Sequence, residues 1–254
     1  MTAALEIVFE HVSKSFERKG EPPFEAVHDL SFTVQRGELV IILGKTGCGK
    51  STTFNLLSGL LRPTSGRVVV KGHDPFTEFD WFRGKISIVF QNDRLMPWRT
   101  AIDNVALGLE LNKASRAERL DLAASWLKRL GLGGHEHDYP HALSGGMRQR
   151  VSIARAFAVR PDILLCDEPF SALDEVTGNA LRAELLELLR ETGATSIFIT
   201  HSIEEALQLG SRILVFERPA RIAYEASLNP NMNEAARNGV RADILRVLSG
   251  PVAA

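Results

Sequence analysis

Gly44-Lys45-Thr46-Gly47-Cys48-Gly49-Lys50-Ser51 follows a short, nearly all-apolar run from Glu38 to Leu43 and precedes a helical pattern that reaches Leu57. The spacing is G-x-x-x-x-G-K-[ST], and a buried strand before it with a helix after it is the setting that a phosphate loop needs. Glycines let successive backbone N–H groups curl around an anion, and the helix that follows adds its unpaired N–H groups and positive dipole end. In that chemistry Lys50 reaches the β- and γ-phosphates of a nucleoside triphosphate and Ser51 ligates its Mg2+. The competing reading, a glycine-rich turn that caps an ordinary helix, leaves the lysine and the preceding strand without a purpose.

Outward from this loop the chain reads as an α/β domain. Leu5 to Phe9, Phe24 to Val34, Arg67 to Lys71 and Lys85 to Phe90 carry strand patterns, as β-branched and aromatic residues in short runs do. From Ile102 to Val159 the apolar spacing turns helical, and helices are predicted at Ile102 to Leu111, Arg116 to Leu130 and Gly146 to Val159. Strands return at Ile163 to Cys166, Ser196 to Thr200 and Arg212 to Phe216, with an amphipathic helix at Leu181 to Leu189 between the first two. One domain over residues 1–254 is expected, with a helical subdomain at about 92–160 and an extension at 218–254 that ends in a helix near Arg241 to Leu248. The 30 basic and 31 acidic residues leave a formal charge of −1, so no global field favours nucleic acid or an anionic membrane. No window of about 18 apolar residues and no secretion signal is visible. A soluble, cytoplasmic chain is expected. Cys48 and Cys166 lie inside nucleotide motifs, not in metal or disulfide spacing, and are expected to be reduced thiols.

Two further motifs carry chemistry. Ile163-Leu164-Leu165-Cys166-Asp167-Glu168 is an apolar strand that ends in two carboxylates, at the sheet edge where ligands of open α/β folds bind. Asp167 suits the Mg2+ contact and Glu168 suits orienting or deprotonating the attacking water. Leu143-Ser144-Gly145-Gly146-Met147-Arg148-Gln149-Arg150 opens an amphipathic helix with Ser144 as N-cap and two glycines where an anion approaches backbone. That is a second phosphate-seeking helix start. One nucleotide needs one phosphate loop, so local chemistry leaves a plain Ser-Gly-Gly cap open as the alternative.

The ordered set resembles the ATPase subunits of ABC transporters from about Leu5 to Phe216. It includes Gln91 after the strand Ile86 to Phe90, the Leu143 to Arg150 signature, Ser171-Ala172-Leu173-Asp174, and His201 after the strand Ser196 to Thr200. The resemblance implies a P-loop NTPase of the ABC ATPase type: α/β, with a mixed sheet core, an antiparallel β region and an inserted helical subdomain. It implies ATP and Mg2+ as cofactors, with Gly44 to Ser51 and Thr52 holding the nucleotide and Phe16 stacking on adenine. Ser51, Gln91 and Asp167 are then the metal ligands, and Glu168, His201, Lys50 and Gln91 the catalytic set. Two copies face head to tail, so that Ser144, Gly145 and Gly146 of one cover the γ-phosphate on the other, and Asp174 connects the two sites. Phe16 has a core phenylalanine as its rival, because its neighbours alternate as in a half-buried strand.

The resemblance also implies partners: a second ATPase subunit as a homodimer, integral membrane permease subunits, and a separate solute-binding protein, with no nucleic acid. The chain is then peripheral on the cytoplasmic face of the inner or plasma membrane. Leu95-Met96-Pro97-Trp98-Arg99-Thr100 and Asp103-Asn104-Val105 place large apolar residues just after Gln91, where either a partner's short helix docks or Trp98 packs into the local core. With Arg148 and the Thr200 to Ala206 segment, they are most similar to the importer branch for nitrate, sulfonates and taurine. Thr52-Thr53-Phe54-Asn55 departs from the more usual Thr-Leu-Leu-Arg type, a change of packing. The His135, His137 and His141 loop is read as a loop, not a metal site. The alternatives are an ABC-type ATPase acting on DNA or ribosomes, which usually carries a coiled-coil insertion or two fused ATPase units, and a small-molecule kinase, which leaves the Leu143 to Arg150 motif unexplained.

Overall fold

The structure is a computed structural model that describes residues 4–111, 115–229 and 231–250. It divides into two compact units, one drawn from the chain up to Phe82 and from Thr195 onward, the other from Arg83 to Ala194.

In the first unit, β1 (Leu5–Arg18) lies between β2 (Glu21–Gln35) and β4 (Ser65–Val70), antiparallel to both. Ile7, Phe9 and Val12 are buried, and the Phe9 and Phe32 rings stack with centroids 4.5 Å apart. The strand pattern expected at Leu5 to Phe9 runs nine residues further. His11 breaks the alternation, and its left-handed backbone (φ 48°) with a register shift between Phe9 and Val12 absorbs the break as a bulge, which lets pairing resume.

Beside this sheet, β3 (Leu39–Gly44) sits between β7 (Thr195–Thr200) and β8 (Arg212–Glu217), parallel to both, and β9 (Arg221–Ser227) adds antiparallel to β8. Val40 to Leu43 and all of β7 are buried, as expected of parallel strands covered on both faces. The covering helices are α1 (Lys50–Leu57), α6 (Ile203–Leu209) and α7 (Glu234–Ser249). Ser202 caps α6 and Asn233 caps α7. The predicted helix near Arg241 is the C-terminal half of α7. Neither β9 nor α6 was anticipated: β9 is half-exposed without clear alternation, and α6 is only seven residues long.

In the second unit, β5 (Ile86–Val89) runs parallel to β6 (Ile163–Asp167). The helices are α2 (Ala101–Leu111), α3 (Arg116–Arg129), α4 (Gly145–Ala158) and α5 (Glu175–Thr192). The first three pack on one another, with Trp126 of α3 against Phe157 of α4 at 5.8 Å between centroids. Each start has a chemical cause. Ser115 and Glu118 form a reciprocal capping box for α3, and Ser144 and Asp174 cap α4 and α5 through Met147 and Thr177 N–H groups. Gly193, at φ 64°, ends α5, a conformation that glycine adopts without strain.

A buried polar hub fixes the approach to α2. Asn104 is fully buried, donates to the Met96, Arg99 and Thr100 carbonyls (3.2, 3.0 and 3.0 Å) and accepts from Met96 N–H at 2.7 Å. Leucine at this position orphans those groups, so Asn104→Leu is expected to lower unfolding free energy by roughly 1–3 kcal/mol, read as a lower urea midpoint at unchanged slope.

Candidate functional site

The phosphate loop is built by steric exclusion as much as by hydrogen bonding. Gly47 and Gly49 take φ 79° and 105°, a region that L side chains avoid. A Cβ on Gly49 would sit 2.4 Å from the Ala26 carbonyl and 2.6 Å from Ala220 Cβ, and one on Gly44 would lie 2.8 Å from the Phe216 carbonyl. The loop is thus seated directly on β2 and on the end of β8. Lys50, the first residue of α1, is buried and donates from Nζ to the Gly44 and Lys45 carbonyls at 2.6 and 3.0 Å. Its ammonium therefore lies inside the curl of the loop. Ser51 is exposed beside it, Thr52 half-buried, and Lys45, Thr46 and Gly47 exposed. Burial pushes the Cys48 thiol up, with nearby Lys50 opposing the shift, and pushes the Cys166 thiol well up. Both cysteines are packing groups at neutral pH.

His201 follows β7, whose Thr200 is paired in register with Leu43 of β3, so His201 and Gly44 leave the sheet at the same edge. The turn is fixed by the Thr200 hydroxyl, which donates to Glu205 Oε2 at 2.5 Å and accepts from Ser202 N–H at 3.0 Å. The His201 ring is exposed. Phe16 lies on the outer part of β1, 37% exposed, with Lys14 Nζ 5.2 Å from its ring centre. It is not a core residue, and the Lys14 ammonium lies over its ring.

In the second unit, β5 and β6 place Gln91 and the pair Asp167 and Glu168 at one end. Val89 pairs with Cys166, and Gln91 and Glu168 each stand two residues beyond that rung. Glu168 has φ 47°, a left-handed backbone that costs a non-glycine residue about 1–3 kcal/mol. It is held by Ser171, whose N–H and hydroxyl donate to the Glu168 carbonyl at 3.2 and 3.0 Å. The motif reading missed this strain, and Pro169, which favours an extended backbone at the residue before it, gave no sign of it. At the start of α4, Ser144 Oγ accepts from Met147 N–H at 3.3 Å, and Ser144 and Gly145 are exposed. No atom beyond the helix's own backbone comes nearer than 3.9 Å to a Cβ built on Gly145, whereas one on Gly146 would meet Thr177 Cγ2 at 2.7 Å. Gly146 is needed for packing on α5, whereas a Cβ on Gly145 would make only ordinary contacts, with Arg148 and Leu173. Hydrogen bonds from Thr177 hold the Asp174 carboxyl below the usual aspartate range. Among the described residues no His, Cys, Asp and Glu cluster suits a metal ion; His135 pairs with Asp138 in a loop, and His141 lies in the short 3-10 turn Pro140–Ala142 that follows it.

A phosphate loop between a buried parallel strand and a helix, with carboxylates at a strand end, defines an α/β P-loop nucleotide-binding ATPase. Residues 27–171 match the ABC transporter family, and the chain belongs to it. The taurine import ATP-binding protein TauB of Pseudomonas aeruginosa is 42% identical over 91% of this chain and 87% of its own length. The nitrate import ATP-binding protein NrtC of Synechococcus elongatus is 39% identical over 82% of this chain and 31% of its own. Among solved structures, the dimeric ATP-binding cassette MJ0796 in a post-hydrolysis state with ADP and Pi superposes with a TM-score of 0.79. It is 34% identical and covers 88% of this chain and 99% of the other.

Because Gly49 has neither the conformational nor the physical room for a side chain, Gly49→Ala is expected to weaken ATP binding by at least ~100-fold while the circular dichroism spectrum is retained. Titration with a fluorescent ATP analogue checks this, and wild-type affinity would contradict it.

Proposed function

We propose that this chain is the ATP-hydrolysing subunit of an importer for a small solute of the nitrate, sulfonate and taurine class. The carrying observation is the second anion-seeking helix start, the Ser144 cap with Ser144 and Gly145 both exposed, in a chain that already has a complete phosphate loop. A second copy gives that helix start a phosphate to cover. Two chains arranged head to tail then enclose two nucleotides, and the dimeric state of the MJ0796 cassette supports this arrangement. The taurine and nitrate relatives support the solute class and the import direction.

In this reading Phe16 stacks on adenine, Gly44 to Thr52 hold the phosphates, and Lys50 neutralises charge on the β- and γ-phosphates. Ser51, Gln91 and Asp167 offer hydroxyl, amide carbonyl and carboxylate oxygens, the hard donors that Mg2+ selects. When bound, Mg2+ supplies positive charge to the phosphate oxygens. Glu168 orients the attacking water and accepts its proton, His201 holds the γ-phosphate oxygens, and the partner's Ser144 and Gly145 donate to the same group. Preorganised donors around a charge that shifts during transfer are the main source of rate. Asp174 links the two sites.

Hydrolysis separates the copies, and the permease harvests the motion. No helix of the described residues is long and apolar enough to cross a membrane. By analogy with the import ATP-binding relatives, the chain works from the cytoplasmic face against separate membrane subunits, with a separate binding protein selecting the solute. A groove of about 310 Å³ in the second unit, lined by Ile86, Ile88, Leu107, Leu111, Arg155 and Val159, suits a short permease helix, and Trp98, 71% exposed, offers an apolar anchor on the same unit.

Phosphate release and nucleotide binding by three full-length chains test the reading. The wild type is expected to turn over ATP; Glu168→Gln to bind ATP with turnover reduced by ~100-fold or more; Lys50→Ala to lose affinity itself. Wild-type turnover by Glu168→Gln, or a labelled small-molecule product instead of free phosphate, would overturn it.

A further inference from the structure

The loop that follows Gln91 is held by α4 to a degree that helix packing does not require. Asp93 is its hub. One carboxylate oxygen accepts from Leu95 N–H at 3.1 Å and the other from Arg148 Nε at 2.9 Å. Arg155 donates to the Asp93 carbonyl at 2.6 Å and to the Arg94 carbonyl at 2.8 Å. Gln149, buried, donates to the Phe90 carbonyl at 3.3 Å. Residues on both sides of Gln91 are thus bound by three side chains from the first three turns of α4. Arg94 adopts φ 47°, and its guanidinium lies 3.8 Å from the Phe90 ring centre. A left-handed non-glycine residue persists only where its surroundings over-determine it, and here the surroundings are the Arg155 bonds and the Phe90 face.

Arg148 also reaches the other way. While Nε binds Asp93, its terminal nitrogen donates to the Leu143 carbonyl at 2.8 Å, one residue before the Ser144 cap. One planar guanidinium therefore spans the loop of Gln91 and the anion-seeking start of α4. Lysine, with a single compact head, does not reproduce two donors in fixed directions.

We propose that Arg148 and Asp93 are positioning residues that lock the Gln91 loop to the Ser144 helix start, so that engagement of one nucleotide by Gln91 sets the placement of the helix start that covers the other. This rests on the paired-site reading above. Within it, Gln91 serves the nucleotide on its own copy and Ser144 the nucleotide on the partner, and the Arg148 bridge is the physical link between the two duties. Arg155 extends the link outward, because the side chain that holds the Asp93 and Arg94 carbonyls also lines the groove proposed for the permease.

The test is a double-mutant cycle on the full-length chain with Asp93→Asn, Arg148→Gln and both together. Steady-state phosphate release gives kcat and KM for ATP, and hydrogen–deuterium exchange reads the amides of residues 91–96. Each single variant is expected to lower kcat by about tenfold with KM within about twofold, and the double variant to be no slower than the slower single one. Exchange at 91–96 should accelerate in all three. A packing role alone would instead leave kcat in place for folded protein, or make the losses add, and either result would overturn the proposal. A KM that rises as kcat falls would also overturn it, because the lock does not touch the phosphate loop. A wild type that releases no phosphate would remove the ATPase reading and the catalytic half of this proposal. The exchange data, which need no turnover, then decide the lock itself: lost protection in Asp93→Asn supports it and unchanged protection contradicts it.

Discussion

The absence of a Cβ at Gly49 is the constraint on which the nucleotide site depends. With the Ala26 carbonyl and Ala220 Cβ where a Gly49 side chain would have to go, the loop presses against its own sheet, and the Gly44 and Lys45 carbonyls hold the Lys50 ammonium inside its curl. An anion bound there meets that ammonium and the N-terminal end of α1. Such a site needs a floor that does not yield, which β7 and the buried interiors of β3 and β8 supply. Parallel strands also explain why function gathers at one edge: their following loops all leave from the same end. Gly44 and His201 share that edge in the first unit. Gln91, Asp167 and Glu168 share the corresponding edge of β5 and β6 in the second.

Two non-glycine residues in the left-handed region occupy or adjoin the candidate site positions, Glu168 at the end of β6 and Arg94 three residues after Gln91. Each is held by dedicated hydrogen bonds, from Ser171 in the first case and Arg155 in the second. His11, Asp29, Lys71 and Arg160 share that conformation elsewhere in the chain, so it is their place at the site, and not the backbone region alone, that sets Glu168 and Arg94 apart. Backbone fixed in this way aims a side chain through the bonds that hold it.

Much of this was legible in the sequence because the informative residues are those whose chemistry is local. A phosphate loop is recognised from its glycines, lysine and serine, and an N-cap such as Ser144 from its position before an amphipathic run, whereas the Asp174 cap of α5 emerged only from the structure. Strand ends were legible where apolar runs stop, as at Leu43 and Cys166. What stayed hidden depends on contacts distant in the chain. β1 was read only as far as Phe9 because a bulge at His11 interrupts the alternation, and β9 was missed because an edge strand half in solvent lacks a clear period. The exposure of Phe16 was undecided until the sheet placed it outside the core. Arg148 was visible as part of a motif, yet its bridge to Asp93 spans 55 residues, a separation that no local pattern reports.

The central claim is that one chain holds only half of each ATP site. Size-exclusion chromatography with light scattering of Glu168→Gln, with and without ATP and Mg2+, tests it most directly. The account predicts a single-chain mass without nucleotide and a doubled mass with ATP-Mg2+. A chain that binds ATP and keeps the single-chain mass would contradict the shared site.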